Sequence, residues 1–372
     1  MSDASARVAV QRLLDDAGLR LDGDRDCDPR LHDARLPARL LAGGSLVLGE
    51  SYVEGAWDCP ALDEFFCRLL RADLDQRVRS AGVLAATLRA RLLNPQTIPR
   101  IRRSVQRHYD IGNDLYQAML DRRMIYSCAW WESAETLDAA QEAKLELCCR
   151  KLMLRPGLRL LDIGCGWGGL ARWAAERHGV EVVGVTVSER QAELGRERCR
   201  GLPVEIRLED YRHVRGDFDR VVSVGMFEHV GHRNHRDFFR AARARLKEDG
   251  LLLLHTIGSN RSVLRNDPWI DRHIFPDSLL PSAAQVTAAL EGLFVLEDWH
   301  SFGPQYDRTL MAWHANIEAA WPRLDARYDE RFRRMWRFYL LSSAGSFRAR
   351  HNQLWQLVLS PAGVPGGYRV PR

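Results

Sequence analysis

The 372-residue sequence has no apolar run near the ~20 residues that span a bilayer. Its longest candidate, "GLLLLHTIG", is only strand-sized, so no membrane-crossing helix is expected. The opening "MSDASARVAV" lacks a secretory apolar core, and the expected compartment is the cytoplasm. The eight cysteines (Cys27, Cys59, Cys67, Cys128, Cys148, Cys149, Cys165, Cys199) show no C-x-x-C pair and no disulfide-like spacing, which fits a reducing environment. No basic stripe interleaved with aromatics is evident, and that disfavours a nucleic-acid partner. Internal repeats and low-complexity tracts are missing too. A net charge of +5 is too small to identify a partner.

What is present is ordinary in bulk and informative in order. Hydrophobic residues make up 46% and charged residues 28%, as in soluble globular proteins. The length exceeds a usual single core and predicts two domains. Residues 1–95 read as a small, mainly helical unit. "SARVAVQRLLDDAG" has apolar residues at helical spacing and stops at a glycine. "LPARLLAGGSLVLGESYVEGAWDC" mixes a short helix with glycine-punctuated turns. "ALDEFFCRLLRADL" is amphipathic and is expected to place Phe65, Leu69 and Leu70 near one face. Two prolines in "LLNPQTIPR" mark a linker, taken as 96–108. Arg89, Arg91, Arg100, Arg102, Arg103 and Arg107 crowd this region. They suit either a phosphate-binding patch or a solvated linker.

Residues 109–372 have a different rhythm. Short apolar runs ("LRLLDIG", "VEVVGVTV", "VEIRLED", "FDRVVSVG", "GLLLLHTI", "LFVLEDW", "LWQLVLS") are interleaved with the helical stretches "SERQAELGRERC", "HRDFFRAARARL" and "SAAQVTAALEG". This alternation predicts a doubly wound α/β sheet of seven strands, with ligands bound beyond the strands' carboxyl ends. "LRLLDIGCGWGGLARWAAERHG" is strand, glycine loop, helix. Gly164 and Gly166 permit a tight turn and close approach of a ligand, and Gly169 is expected to relieve helix–strand packing. A bare G-x-G-x-x-G would suit a nicotinamide dinucleotide equally well. However, the second strand ends in "GVTVSERQ", with no acidic residue at its tip to hold a ribose diol. Thr186 and Gln191 are left to contact the cofactor there, and Asp210 and Tyr211 of "EDYR" to meet its adenine. The D-x-G-x-G-x-G form itself, with Asp162 at the strand end, resembles S-adenosylmethionine methyltransferases.

Over nearly its whole length the chain resembles the cyclopropane-fatty-acyl-phospholipid synthases. The resemblance is carried by "GSLVLGESYVEGAW", "HYDIGNDLYQAML", "YSCAWW", "LLDIGCGWGG", "GVTVSERQ", "VSVGMFEHVG", "LLHTIG", "PWIDRHIFP", "EDWHSFGPQYDRTL" and "SFRARHNQLWQ". It implies a class I methyltransferase sheet with a Rossmann-like order and a smaller helical N-terminal domain that docks on lipid. The implied reaction transfers a methylene from S-adenosylmethionine to the cis double bond of unsaturated acyl chains in membrane phospholipids. Bicarbonate is the implied general base. By matching motifs, the resemblance assigns Cys128, Glu228, His255, Ile257 and Tyr306 to the bicarbonate site. It assigns Tyr109, Tyr126 and Ser127 to the cofactor. The implied setting is the cytoplasmic, inner face of the cell membrane, with the bilayer as partner and a homodimer as the assembly. A related methyltransferase that leaves a methyl or methylene branch, and a non-catalytic lipid-binding homologue, stand as alternatives. Trp130 and Ser343 depart from the family's more common tyrosine and cysteine.

Other readings of the same residues compete. The Cys128 thiol, among Tyr126, Trp130 and Trp131, suits a nucleophile, a metal ligand or a small apolar plug. A thiol triad of Cys128, Glu228 and His255 would leave the glycine loop unexplained. "EHVGHRNH" offers Glu228, His229, His232 and His235 as metal ligands, but at an unfamiliar spacing. Trp130, Trp131, Phe227 and Trp299 suit an acyl tunnel or the core equally. For the arginine-flanked stretch "DERFRRMWRFYLLSSAGSFRARHNQ", core packing and lipid contact are both open, with Arg348 and Arg350 as candidate phosphate ligands.

Overall fold

A computed structural model of the chain describes residues 2–74 and 111–371. The expected linker 96–108, the arginines from Arg89 to Arg107 and Tyr109 lie outside the described residues. The chain divides into two compact units. One comprises residues 2–74 together with Leu264–Pro276 and Tyr306–Asn352; the other comprises residues 111–263, Asp277–Gln305 and 353–371. No described helix is long and apolar enough to cross a membrane.

The first unit is mainly helical. Helix α1 (Asp3–Asp16) is capped by the Ser2 hydroxyl, which accepts from the Ser5 N–H. Helix α2 (Leu36–Val53) is two helical stretches joined at Gly44, whose φ of 60° and ψ of −143° kink the chain. A two-residue pairing of β1 (Arg30–Leu31) with β2 (Trp57–Asp58) closes the loop around it. Helix α3 (Leu62–Arg71) buries Leu62, Phe65 and Phe66, whereas Leu69 and Leu70 are only half-buried. The inward face is therefore rotated from the one expected, because the two phenylalanines enter an aromatic core. In it Phe66 meets Phe338 at 5.2 Å, Trp57 meets Phe65 at 5.5 Å, and Trp269 meets Phe338 at 4.4 Å.

Late segments of the sequence complete this unit. They supply α9 (Pro268–His273), most of α11 (Pro304–Ala320) and α12 (Glu330–Arg348). The arginine-flanked stretch is thus a core helix. Arg334 lies over the Tyr52 ring at 4.3 Å and donates to the carbonyls of Tyr52 (2.7 Å) and Trp57 (3.0 Å). Arg348 donates to both Asp307 carboxylate oxygens at 2.9 and 3.0 Å, and its remaining terminal nitrogen sits 2.7 Å from Asp63. Those carboxylates raise the arginine's pKa. Arg348 is thus tied to this unit by its ion pairs to Asp63 and Asp307. Arg348→Met strands Asp63, Glu64 and Asp307 together and is expected to destabilise the protein by about 2–3 kcal/mol. The denaturant midpoint should fall accordingly, and adding Asp307→Asn should restore part of the loss.

The second unit is the seven-stranded sheet expected from the sequence. Its strands are β3 (Arg159–Ile163), β4 (Glu181–Thr186), β5 (Val204–Leu208), β6 (Phe218–Val224), β7 (Leu246–Ser259), β8 (Val295–Ser301) and β9 (Asn352–Ser360), in the order β5-β4-β3-β6-β7-β9-β8. Neighbours from β5 to β7 are parallel, and β8 pairs antiparallel with β9. Near-continuous apolar runs are what strands buried on both faces require. Helix α4 (Asn113–Met119) precedes the sheet, one face of which packs on α5 (Leu137–Lys151), α6 (Gly169–His178) and α7 (Glu189–Arg198), through Leu145, Cys148, Leu170, Ala174 and Ala192. The other packs on α8 (His235–Arg243) and α10 (Ala283–Leu290), through Phe238, Phe239, Val286 and Ala289. Phe227 joins this second core, 5.0 Å from Phe238, and Trp299 packs against Trp355 at 5.2 Å. The order turns back between β3 and β6, the crevice where such sheets bind ligands.

Candidate active site

The loop after β3 reaches this crevice. Gly164 has a φ of +84°, and a Cβ there would stand 2.7 Å from Cβ of Met226, so only glycine fits. Gly166 (φ +54°) faces open space. A side chain at Gly169 would strike Ile125 and the carbonyl of Arg123. Its smallness therefore serves the approach of the segment before α5, not the helix–strand contact expected.

Around the loop lies a cavity of about 150 Å³. Tyr126, Ser127, Asp162, Gly164, Gly166, Thr186, Gln191, Asp210 and Tyr211 all line it. Every described cofactor candidate thus faces one space. Thr186 donates to the Gln191 side-chain carbonyl at 2.8 Å, which fixes that amide. Asp210 is bidentate with Arg212 (2.8 and 2.7 Å); burial works against its charge, but the arginine prevails and lowers its pKa. Asp162 differs. Burial raises its pKa to about 7 although Lys144 pulls the other way, and its Oδ2 has no partner. A buried acceptor left open beside a glycine cradle fits a ligand rich in donors, such as S-adenosylmethionine.

A second cluster adjoins this cavity at the sheet's carboxyl edge. Gly225 lines the cavity, and its N–H donates to the carbonyl of His255 at 2.9 Å. His255 pairs with Val224, the last residue of β6, so it lies at the functional edge although β7 continues to Ser259. Glu228, on the turn after β6, accepts the Ile257 N–H at 2.6 Å. That N–H, expected to face an anion, is therefore engaged by a carboxylate here. Burial raises the Glu228 pKa to about 7. Burial, helped by the charges of Lys144 and Lys151, keeps His255 neutral far below its usual range. Glu228 Oε2 and His255 Nε2 are both buried and have no partner. One open carboxyl oxygen and one open imidazole nitrogen fit a small oxyanion such as bicarbonate.

Cys128 follows Ser127 in this region and is fully buried; its thiol donates to the Ala129 carbonyl at 3.2 Å, a poor posture for a nucleophile. Tyr306 belongs to the other unit, where its ring packs on Phe347 at 4.6 Å. The metal reading of "EHVGHRNH" gains no support: among the described residues no three of His, Cys, Asp or Glu are grouped to hold a metal ion, His235 stacks on Phe227 at 4.3 Å, and His229 lines the cofactor cavity.

Several residues of the site escaped the sequence reading. Lys144 is almost fully buried, lines the cavity and donates to Ser127 Oγ at 2.8 Å. Gln141, one turn earlier on α5, donates to the Ser127 carbonyl at 2.8 Å. Gln356 on β9 reaches His255 Nδ1 at 3.3 Å. The signal lay in "AQEAKLELCCRK", where Gln141, Lys144, Cys148 and Lys151 recur at helical spacing on one face.

Known proteins identify the family and the fold. The pattern of the family described as "Mycolic acid cyclopropane synthetase" matches residues 96–357. The cyclopropane-fatty-acyl-phospholipid synthase of Escherichia coli (strain K12) is 50% identical over 369 residues, covering 98% of this chain and 96% of that one. Among solved structures, the cyclopropane synthase MmaA2 from Mycobacterium tuberculosis superposes with a TM-score of 0.65 at 34% identity, covering 69% of this chain and 97% of that one. Mycolic acid cyclopropane synthase CmaA1, solved in complex with SAH and CTAB, gives 0.64 at 33% identity with the same coverage.

Proposed function

Since the chain belongs to the mycolic acid cyclopropane synthetase family of S-adenosylmethionine-dependent methyltransferases, we propose that it cyclopropanates the cis double bonds of unsaturated phospholipid acyl chains, with bicarbonate as the general base. One observation carries the reading: Glu228 Oε2 and His255 Nε2 are buried, unpartnered, and held beside the cofactor cavity.

An alkene is a weak nucleophile and has no proton to lose before attack. Alignment of the reactants must therefore supply the rate. S-adenosylmethionine, when bound, supplies the methyl group, and bicarbonate supplies the base that takes a proton from it as the ring closes. The protein's part is to hold these groups and keep water out. Cys128, His255 and Glu228 are 0%, 1% and 5% exposed, so bulk water is kept from these groups, which would protect a carbocation-like centre from quenching. Phe302 lies edge-on to His255 at 5.6 Å and to Trp130 at 5.2 Å. Such π surfaces favour a nearby cation. Glu228, with its pKa near neutrality, can share the released proton. The assignments of Tyr109, Tyr306 and the Cys128 backbone rest on the family resemblance alone.

Because the substrate resides in the bilayer, the enzyme would work as a peripheral protein at the membrane's cytoplasmic face; a homodimer is part of the same proposal. The test is purified enzyme with S-adenosylmethionine and vesicles of mono-unsaturated phospholipid, with and without added bicarbonate. Proton NMR of the lipid should show ring methylene signals upfield of the chain, in amounts that rise with bicarbonate. Vinyl or branch-methyl signals would instead identify a branching methyltransferase, and unchanged lipid a binding protein.

A further inference from the structure

The His255 ring is held from behind by a side chain that has no role in the reaction described above and does not line the cofactor cavity. Gln356 is fully buried on β9. Its amide nitrogen lies 3.3 Å from His255 Nδ1 and 3.4 Å from Cys148 Sγ, while its oxygen is buried without a partner. An amide NH2 has two protons, and two acceptors stand opposite them. The reversed amide would bury two unpaired N–H groups in place of one unpaired oxygen, the costlier arrangement. The amide therefore donates, and Nδ1 must accept.

We propose that Gln356 is a positioning residue that locks His255 in the tautomer with its proton on Nε2, so that the unpartnered ring nitrogen is an N–H aimed at the anion beside Glu228. In neutral imidazole one nitrogen donates and the other accepts, and the bond at one fixes the role of the other. Left unclamped, Nε2 would spend part of its time as a lone pair facing an oxyanion, which repels it. Strand geometry supports the assignment. Leu251, Leu253 and His255 alternate onto the sheet face that α5 covers, where Cys148 and Val358 also lie. Gln356 and Val358 share that face on the neighbouring strand, so the amide can meet the ring and the thiol together.

This inference rests on the bicarbonate reading, and the test separates the two. The full-length enzyme is labelled with 15N-histidine, and the His255 signals are assigned by their loss in His255→Gln. Without bicarbonate or cofactor, the wild-type protein should show a protonated Nε2 and an unprotonated Nδ1. In Gln356→Met the pattern should move toward a mixture of tautomers. The bicarbonate concentration for half-maximal rate should rise roughly tenfold or more, with the KM for S-adenosylmethionine unchanged. A wild-type His255 protonated on Nδ1 overturns the clamp, as does an unaltered bicarbonate response in a folded Gln356→Met enzyme. A wild-type enzyme indifferent to bicarbonate overturns the reading beneath it, whatever the tautomer.

Discussion

Glu228→Gln is expected to lower turnover by about two to three orders of magnitude, within the usual worth of a positioned acid–base group, while making the unliganded protein relatively more stable in alkaline solution. The first effect follows from replacing the open oxygen beside His255 with an amide that cannot take a proton. The KM for S-adenosylmethionine should hardly move, because Glu228 does not line the cofactor cavity.

The second effect follows from burial. Glu228 titrates near 7 in the folded state, against an ordinary value of 4.5. Between those limits the folded protein holds a proton that the unfolded chain releases. The carboxyl's contribution to stability is therefore complete below about pH 4.5 and lost as pH rises through about 7. The loss amounts to about 3 kcal/mol. Glutamine has no such loss. Thermal unfolding of both proteins at pH 5 and pH 8 should show the variant gaining on the wild type as pH rises; parallel curves would sink this account.

Lys151→Met is expected to be the most damaging single change to the sheet unit. Lys151, at the end of α5, has a fully buried side chain 3.0 Å from Asp298, itself 4% exposed, and 3.1 Å from His300 Nδ1. Removing the cation leaves a carboxylate in the core with its main counter-charge gone, a loss of about 3–5 kcal/mol. Unfolding should begin roughly 5–10 °C lower. Lys151→Met with Asp298→Leu should recover most of that, since an apolar pair of similar size need not be worse than an ion pair. Calorimetry of the two variants decides it: a double variant as unstable as the single one rules the explanation out.

The central strands were legible because strands buried on both faces must be short apolar runs bounded by glycine turns; "QRLLDD", which resembles "RLLDI", is told from a strand by the helical spacing of Ala6, Val10 and Leu14 around it. The loop from Asp162 to Gly166 was legible because its backbone turns only with glycine. His255 and Glu228 were reached through the family resemblance, and the strand pattern placed them toward the sheet's functional edge. Lys144, Lys151 and Gln356 were not legible, since a lysine in a helix reads as solvated until tertiary packing encloses it. The rotated face of α3 escaped for a related reason: it is set by Phe338, which arrives from the far end of the chain. Nothing local to Tyr306 announces that the chain there joins the N-terminal residues.

The order in which the ribosome delivers the chain gives the helical unit an unusual problem. Arg334, which seals Tyr52 and Trp57, follows Tyr52 by 282 residues. At about 5–20 residues per second, the aromatic face of the first helices waits tens of seconds for its cover. During synthesis that face is a natural client for a holding chaperone. Cutting the gene near residue 95 should release an N-terminal fragment that aggregates instead of folding, because the residues that cover it, Arg334 and Phe338, are encoded far downstream.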